Sequence, residues 1–206
     1  MKVKRPSITV ETNARFGRVR FLLACVATAA LPSLAHAGGL PRFGESPPPS
    51  LGGPIDLVDQ GGHAFHLSQL SGRSALVLFG LTHCGTTCPT LLVTAHRVLA
   101  ASRSGQAVVF VTLDPLNDQP SALRDYLHAF DDRIIGLTGT PGAVMRVADR
   151  YGVSVERSST AVGHSAKWYL LDPVGRLVRV YGPDAPADQL ASDLESVARV
   201  KPGASQ

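Results

Sequence analysis

The chain has 206 residues, 44% hydrophobic and 17% charged, which is enough apolar material for one domain with a substantial core and too much for a disordered polymer. Its formal charge of +4 belongs to one end: residues 1–37 carry six basic side chains (Lys2, Lys4, Arg5, Arg15, Arg18, Arg20) against Glu11 alone, leaving 14 basic and 15 acidic residues in the remainder. A nearly neutral remainder has no electrostatic footprint for nucleic acid, so no such partner is expected.

The leader has the anatomy of an export signal. Its basic region ends at Arg20, residues 21–35 are mainly apolar, and Ala35-His36-Ala37 is a small-x-small cleavage site. The apolar run is shorter than the roughly 20 residues of a membrane span, but the basic region is long, so 1–37 is read as a signal peptide or an N-terminal anchor. Cys25 follows Leu22-Leu23-Ala24 with too little apolar sequence before it for a lipid-attachment site, and it is assigned to the signal. Gly, Pro and Ser dominate 38–54, the composition of a flexible linker. The folded domain is expected over 55–201.

Within that domain, residues 55–58 and 63–67 alternate apolar and polar about the turn Asp59-Gln-Gly-Gly, a hairpin. Residues 75–79 are a continuous apolar run bounded by Gly72 and Gly80, a buried strand. Cys84 and Cys88 follow, then Pro89 in a first helical turn and Leu92, Ala95 and Leu99 at helical spacing. A second apolar strand spans 108–113. A helix over 121–130 is expected to be capped by Ser121 or Asp118. A short strand covers 134–137, and a helix over 141–151 starts at Pro141 and stops at Gly152. Residues 158–164 form a polar loop ending in His164. Strands at Trp168–Leu171 and Leu177–Tyr181 flank Asp172-Pro-Val-Gly, and Leu190, Leu194 and Val197 stripe a last helix. This order predicts an α/β domain, a thioredoxin-like three-layer sandwich with an N-terminal hairpin extension and an inserted loop before the last hairpin.

The two thiols are the chemical centre of the chain. They stand at the carboxyl end of the first central strand, where open α/β sheets place ligands. A helix N-terminus should favour thiolate and lower the thiol pKa. The spacing is C-x-x-x-C. Side chains four apart on a helix have Cβ atoms about 5–6 Å apart, whereas a disulfide needs about 3.5–4.5 Å. A metal ion with bonds of about 2.3 Å to each sulfur spans the wider gap more easily. Three uses stay open: a metal clamp, a redox pair and a plain disulfide brace. The brace is poorly placed, because so small a loop gives only roughly 2 kcal/mol on the chain-entropy model. A peroxidase has nothing but the dithiol to speak for it.

Two thiolates leave a soft ion under-coordinated, so the histidines matter. Thiolates select Cu(I) or Zn, and imidazole suits both. His96 and His128 lie on helices and read as surface side chains. His63 and His66 fall on opposite faces of a strand and make no joint site. His83 adjoins Cys84, where it either tunes that thiol or faces solvent. His164 leads into the strand at 168–171, but spacing alone does not bring it to the sulfurs.

Gly80-Leu-Thr-His-Cys-Gly-Thr-Thr-Cys-Pro-Thr resembles the signature of the Sco/SenC family of copper-binding proteins. Val109-Phe-Val-Thr-Leu-Asp-Pro-Leu-Asn-Asp-Gln-Pro, Ile135-Gly-Leu-Thr-Gly-Thr, Gly163-His-Ser and Tyr169-Leu-Leu-Asp-Pro-Val-Gly follow in the family's order. The resemblance covers about 55–200. It implies copper, Cu(I) or Cu(II), held by Cys84, Cys88 and His164, and delivery to the binuclear copper centre of cytochrome c oxidase. It also implies partners: the oxidase's copper-bearing subunit, a thioredoxin-like reductant and other copper carriers. The expected location is the periplasm or the extracytoplasmic face of the inner membrane. On this view the chain is a metallochaperone rather than an enzyme, with a redox use of Cys84 and Cys88 as the alternative. His83, Asp114 and Asp118 are candidates for the second sphere, the two acids also for turn or cap roles. Gly85 stands where the family often has Pro, and Gly163 where it often has Asp.

Overall fold

The computed structural model describes residues 44–102, 105–157 and 162–199. The leader 1–37, the first part of the linker, the first part of the polar loop (158–161) and residues 200 and 201 lie outside the described residues. No described helix is long and apolar enough to cross a membrane.

The described chain runs β1 (Asp56–Asp59), β2 (Ala64–His66), a 3-10 turn (Leu67–Leu70), β3 (Ala75–Gly80), α1 (Thr87–Ala101), β4 (Ala107–Thr112), α2 (Pro120–His128), β5 (Ile134–Thr138), α3 (Pro141–Arg150), β6 (Val155–Arg157), β7 (Val162–His164), β8 (Trp168–Leu171), β9 (Leu177–Tyr181) and α4 (Ala187–Ala198). Seven strands make one sheet in the order β2-β1-β5-β4-β3-β8-β9. The middle three are parallel, with Ala75 opposite Ala107 and Val108 opposite Ile134. The hairpins β1–β2 and β8–β9 extend the sheet antiparallel on either side.

Every residue of β3 and β4 is buried, as expected of parallel strands covered on both faces. Alternation divides them between two cores. Val77, Phe79, Val109 and Val111 point to one layer with Val144, Val147 and Tyr151 of α3 and its flank. Leu76, Leu78, Val108 and Phe110 point to the other, under Leu92 and Ala95 of α1, Leu123 of α2 and Leu194 of α4. Each fully buried aliphatic or aromatic side chain contributes about 1.5–3 kcal/mol, so the central strands are fixed rigidly up to Gly80. This is the expected three-layer, thioredoxin-like α/β fold.

Three local expectations change. Helix α2 starts at Pro120 with extended Gln119 as its cap residue, so neither Ser121 nor Asp118 caps it. Pro120 supplies the first turn, and Asp118 is turned inward and fully buried. The segment before the last hairpin is not simply a loop: β6 and β7 pair as a separate two-stranded ribbon, Val155 opposite His164. The described part of the supposed linker is tied to the domain. Glu45 bridges to Val180 beyond the edge of β9, Gly52 N–H donates to the Arg150 carbonyl at 2.8 Å, and the Tyr151 hydroxyl donates to Gly53 O at 3.0 Å.

Candidate metal centre

Strand β3 delivers the chain to the site, and α1 anchors its far side. Cys84 lies in the turn between them, half-buried, with its N–H directed at the Leu81 carbonyl (3.4 Å). Cys88 is the second residue of α1 and has 0% exposure. His164 ends β7, and its position is set by the β6 pairing and by Ser165, whose N–H and Oγ bond to both backbone groups of Ser154 (3.1 and 3.2 Å).

These three residues converge. Cys84 Sγ, Cys88 Sγ and one ring nitrogen of His164 all lie within 4.8 Å of one another, and Cys88 Sγ is 3.9 Å from His164 Nε2. Both thiols are free. In a trigonal site with bonds of about 2.3 Å to sulfur and 2.0 Å to nitrogen, sulfur and nitrogen stand about 3.7 Å apart. The observed spacing therefore needs little contraction around an ion. The imidazole is also oriented for it. Its Nδ1 lies 3.2 Å from the Ser165 carbonyl, which only accepts, so Nδ1 carries the proton and the Nε2 lone pair faces the sulfurs.

The expected lowering of the thiol pKa does not hold at Cys88. Burial pushes this thiol up to about 12, helped by its hydrogen bond with Cys84. Here desolvation outweighs the helix end, whose dipole is partly screened at the surface but whose buried first turn excludes water. In the ion-free protein Cys88 holds its proton at neutral pH, and a metal must displace it.

His83 turns away from this trio to two carboxylates: its Nε2 is 3.1 Å from Asp114 and its Nδ1 3.8 Å from Asp118. Asp118 accepts from Thr82 N–H (3.1 Å), Thr82 Oγ (2.6 Å) and Thr112 Oγ. Asp114 accepts from Asn117 and lies in a turn whose 117 and 118 amides return to its own carbonyl. These acids thus lace the thiol turn to the end of β4. The remaining histidines among the described residues pair with aspartates elsewhere: His63 with Asp59, His66 with Asp56, His96 with Asp131 and His128 with Asp132.

A family model described as SCO1/SenC matches residues 44–199. The chain belongs to the SCO1/SenC family. It is 31% identical over 150 residues to an SCO2-like protein of Rickettsia prowazekii, covering 68% of this chain and 73% of that one. Among solved structures, copper-bound ScoI of Bradyrhizobium japonicum superposes with a TM-score of 0.67 at 33% identity, covering 71% of this chain and 99% of that one. Copper-bound yeast Sco1 gives 0.67 at 32% identity, covering 75% and 92%. The family boundary at 44 coincides with the first residues tied to the sheet.

Two contributors to the site were not singled out by their sequence. Gly80 reads only as the end of a strand, yet a Cβ there would lie 2.8 Å from Phe110 Cε2 and 2.9 Å from Cys88 Sγ. Ser165 follows the histidine as an unremarkable polar residue, yet its carbonyl sets the ring's tautomer. The two departures from the family pattern are sterically open. Nothing lies within 4 Å of a Cβ on Gly85, and on Gly163 it would meet only Glu156 at 3.8 Å.

Proposed function

We propose that this chain is a copper metallochaperone that carries one ion between Cys84, Cys88 and His164 and delivers it to the binuclear copper centre of cytochrome c oxidase. The observation that carries this reading is the convergence of two sulfurs and one oriented imidazole nitrogen within 4.8 Å. Family membership and the copper-bound relatives favour copper over zinc as the cargo. Two thiolates with one imidazole suit Cu(I), and Cu(II) also accepts this donor set.

The chain's own groups define the loading and release steps. Cys84 and Cys88 must be reduced, Cys88 must give up its proton, and His164 Nε2 is already free to bind. A thioredoxin-like reductant keeps the dithiol open in an oxidising compartment. Cys84 and His164 are only half-buried, so a ligand of the acceptor can approach the ion before either one leaves. Donors and acceptors are then other copper carriers and the oxidase's copper-bearing subunit, at the extracytoplasmic face of the membrane to which the leader directs the chain. Asp114, Asp118 and His83 act at one remove, by fixing the turn that bears Cys84.

The test is anaerobic Cu(I) titration of the reduced domain against a chromophoric chelator. One equivalent is expected. His164→Ala should weaken binding by at least the roughly 10–100-fold typical of disturbed metal sites while insulin-type disulfide reduction stays close to wild type. No binding, or a stoichiometry other than one, removes the metal reading.

A second reading rests on the two free, adjacent thiols. As a thiol–disulfide oxidoreductase, Cys84 would attack a partner disulfide and Cys88 would resolve the mixed disulfide, leaving the partner reduced and this pair oxidised. A chain related in fold, from the Sco family of cytochrome c oxidase assembly proteins, is described as having a disulfide switch. Equal loss of copper binding and reductase activity in His164→Ala, or loss of neither, favours this second reading.

A further inference from the structure

We infer that Leu116 is the apolar anchor on which the copper acceptor docks, seated in an apolar cavity of that partner while the ion changes hands. Its role depends on the copper reading and adds to it the surface through which delivery runs.

The turn that follows β4 inverts the ordinary distribution of side chains. Asp114, Pro115 and Asp118 are buried, whereas Leu116 between them is 71% exposed. Val174 at 53% and Val93 at 44% are the other exposed large apolar side chains among the described residues. The backbone that presents Leu116 is fixed. The Asn117 and Asp118 N–H groups donate to Asp114 O (3.1 and 2.8 Å), Asn117 Nδ2 donates to Asp114 Oδ2 (2.8 Å) and Gln119 Nε2 to Pro115 O (2.8 Å). A side chain presented on a fixed backbone loses little further freedom on binding.

Direct contacts join this turn to the metal centre. Leu113 N–H donates to Gly80 O (2.7 Å) and Thr82 N–H to Asp118 (3.1 Å). His83, the neighbour of Cys84, reaches Asp114 at 3.1 Å and Asp118 at 3.8 Å. Leu116 is two residues from each of these acids, at most about 7 Å along the chain.

Ligand exchange identifies the occupant. A ligand of the acceptor must come within about 2.0–2.3 Å of the ion, and Cys84 and His164 are the half-buried ligands it can reach. The acceptor's surface therefore has to lie over the neighbouring turns, a requirement that a second copy of this chain does not share. The exposed residues of 82–88 and 115–121 carry no charge apart from His83, which pairs with Asp114. A Cβ on Gly85 would meet nothing within 4 Å, so the approach to Cys84 is clear. An apolar knob within a neutral polar rim is the arrangement of an interface anchor. The ion passes as Cu(I) with no electron transferred: the acceptor's ligand bonds to it as the Cys84 bond breaks, and any proton that ligand sheds goes to the freed sulfur.

The test loads wild type, Leu116→Ser and Val174→Ser with Cu(I) and follows transfer to the reduced, copper-free soluble domain of the oxidase's copper-bearing subunit. Val174 is the exposed apolar control: its turn follows Leu171, which pairs with Ala75 at the end of β3 far from the thiols. Leu116→Ser should raise the acceptor concentration for half-maximal rate about tenfold, the loss of one anchor, with the limiting rate unchanged. Removal of Cu(I) by a chromophoric chelator needs no docking, so it should stay at the wild-type rate, as should thermal melting. Val174→Ser should match wild type throughout. An unchanged half-maximal concentration in Leu116→Ser, an equal rise in Val174→Ser, or slower loss to the chelator as well overturns the assignment. So does a wild-type dimer that Leu116→Ser dissolves, seen by sedimentation, since a second copy then covers the leucine. Wild-type protein that takes up no Cu(I), or yields none to the acceptor, defeats the delivery reading and this contact with it, whereas failure at Leu116 alone leaves that reading standing.

Discussion

At Cys88 a local rule and a long-range one conflict. Sequence places the residue in the first turn of a helix, where the dipole favours an anion. The fold then turns it from α1 into the interior beside Phe110 and buries it completely, and burial wins. The sign of the consequence can be worked out. The thiol ionises near 9.0 in an unstructured chain and near about 12 in the fold, so its neutral form stabilises the reduced, ion-free domain below pH 9.0 and that contribution is lost as pH climbs towards 12. Urea unfolding of reduced protein at increasing alkaline pH should show this fall, and Cys88→Ala should lack it. The same proton must leave on loading, so apparent Cu(I) affinity should rise at least about tenfold per pH unit near neutrality, and a flat profile would contradict the burial argument. Gly80 is the companion case. Gly80→Ala puts a methyl group 2.8–2.9 Å from Phe110 and Cys88 Sγ, and overpacking of this kind costs about 1–3 kcal/mol. Melting should drop and Cu(I) affinity with it, whereas Gly85→Ala, facing open space, should change neither.

At the scale of elements, the sequence was most legible where one residue pattern had one structural outcome. The apolar runs of β3 and β4, the proline in the first turn of α1 and at the start of α3, Gly152 as a stop and the 172–175 hairpin turn all depend on neighbours within a few residues. The rest depended on partners far along the chain. His164 meets Cys88 across 76 positions, and the ribbon that carries it is three residues per strand, too short for periodicity to reveal. Asp118 looked like a helix cap because an acid two residues before a proline-led helix commonly is one. Its true partners are Thr82, in the turn after β3, and Thr112, the last residue of β4. Asp118→Ala should therefore behave as a core lesion. Three donors lose one acceptor, at about 1–3 kcal/mol for each donor left buried, and urea titration should show a loss well above the 0.5–2 kcal/mol of a missing cap. Asp118→Asn, which can still accept, should recover part of it. A loss no larger than that of a cap would return the residue to its sequence-based role.

For the whole molecule, composition assigns residues 38–54 to a tether, whereas the structure ties residues 44–54 to the domain. A Gly- and Pro-rich stretch with no apolar periodicity looks like a tether, yet from Gly44 onward it lies along the domain. Gly44 sits where a Cβ would press on the Tyr181 ring at 2.7 Å, with a φ of +82° that suits glycine. Glu45 exchanges two backbone hydrogen bonds with Val180 (2.8 and 3.0 Å), and Arg179 reaches the Ser46 hydroxyl at 2.7 Å. Composition could not show this, because the stretch contributes backbone bonds to an edge strand rather than side chains to a core. The covered edge is β9, joined through β8 to β3 at the level of Trp168 and Leu78, so it supports the strand that ends at the thiol turn. A domain begun at Ile55 would expose that edge and lose the bonds to Val180, Arg150 and Tyr151. At about 0.5–1.5 kcal/mol for each hydrogen bond and about 2–4 °C per kcal/mol for a domain of this size, it should melt several degrees below one begun at Gly44. Its bare edge strand should also promote self-association, visible as a concentration-dependent sedimentation coefficient. Equal melting points for the two would mean that residues 44–54 merely rest on the sheet.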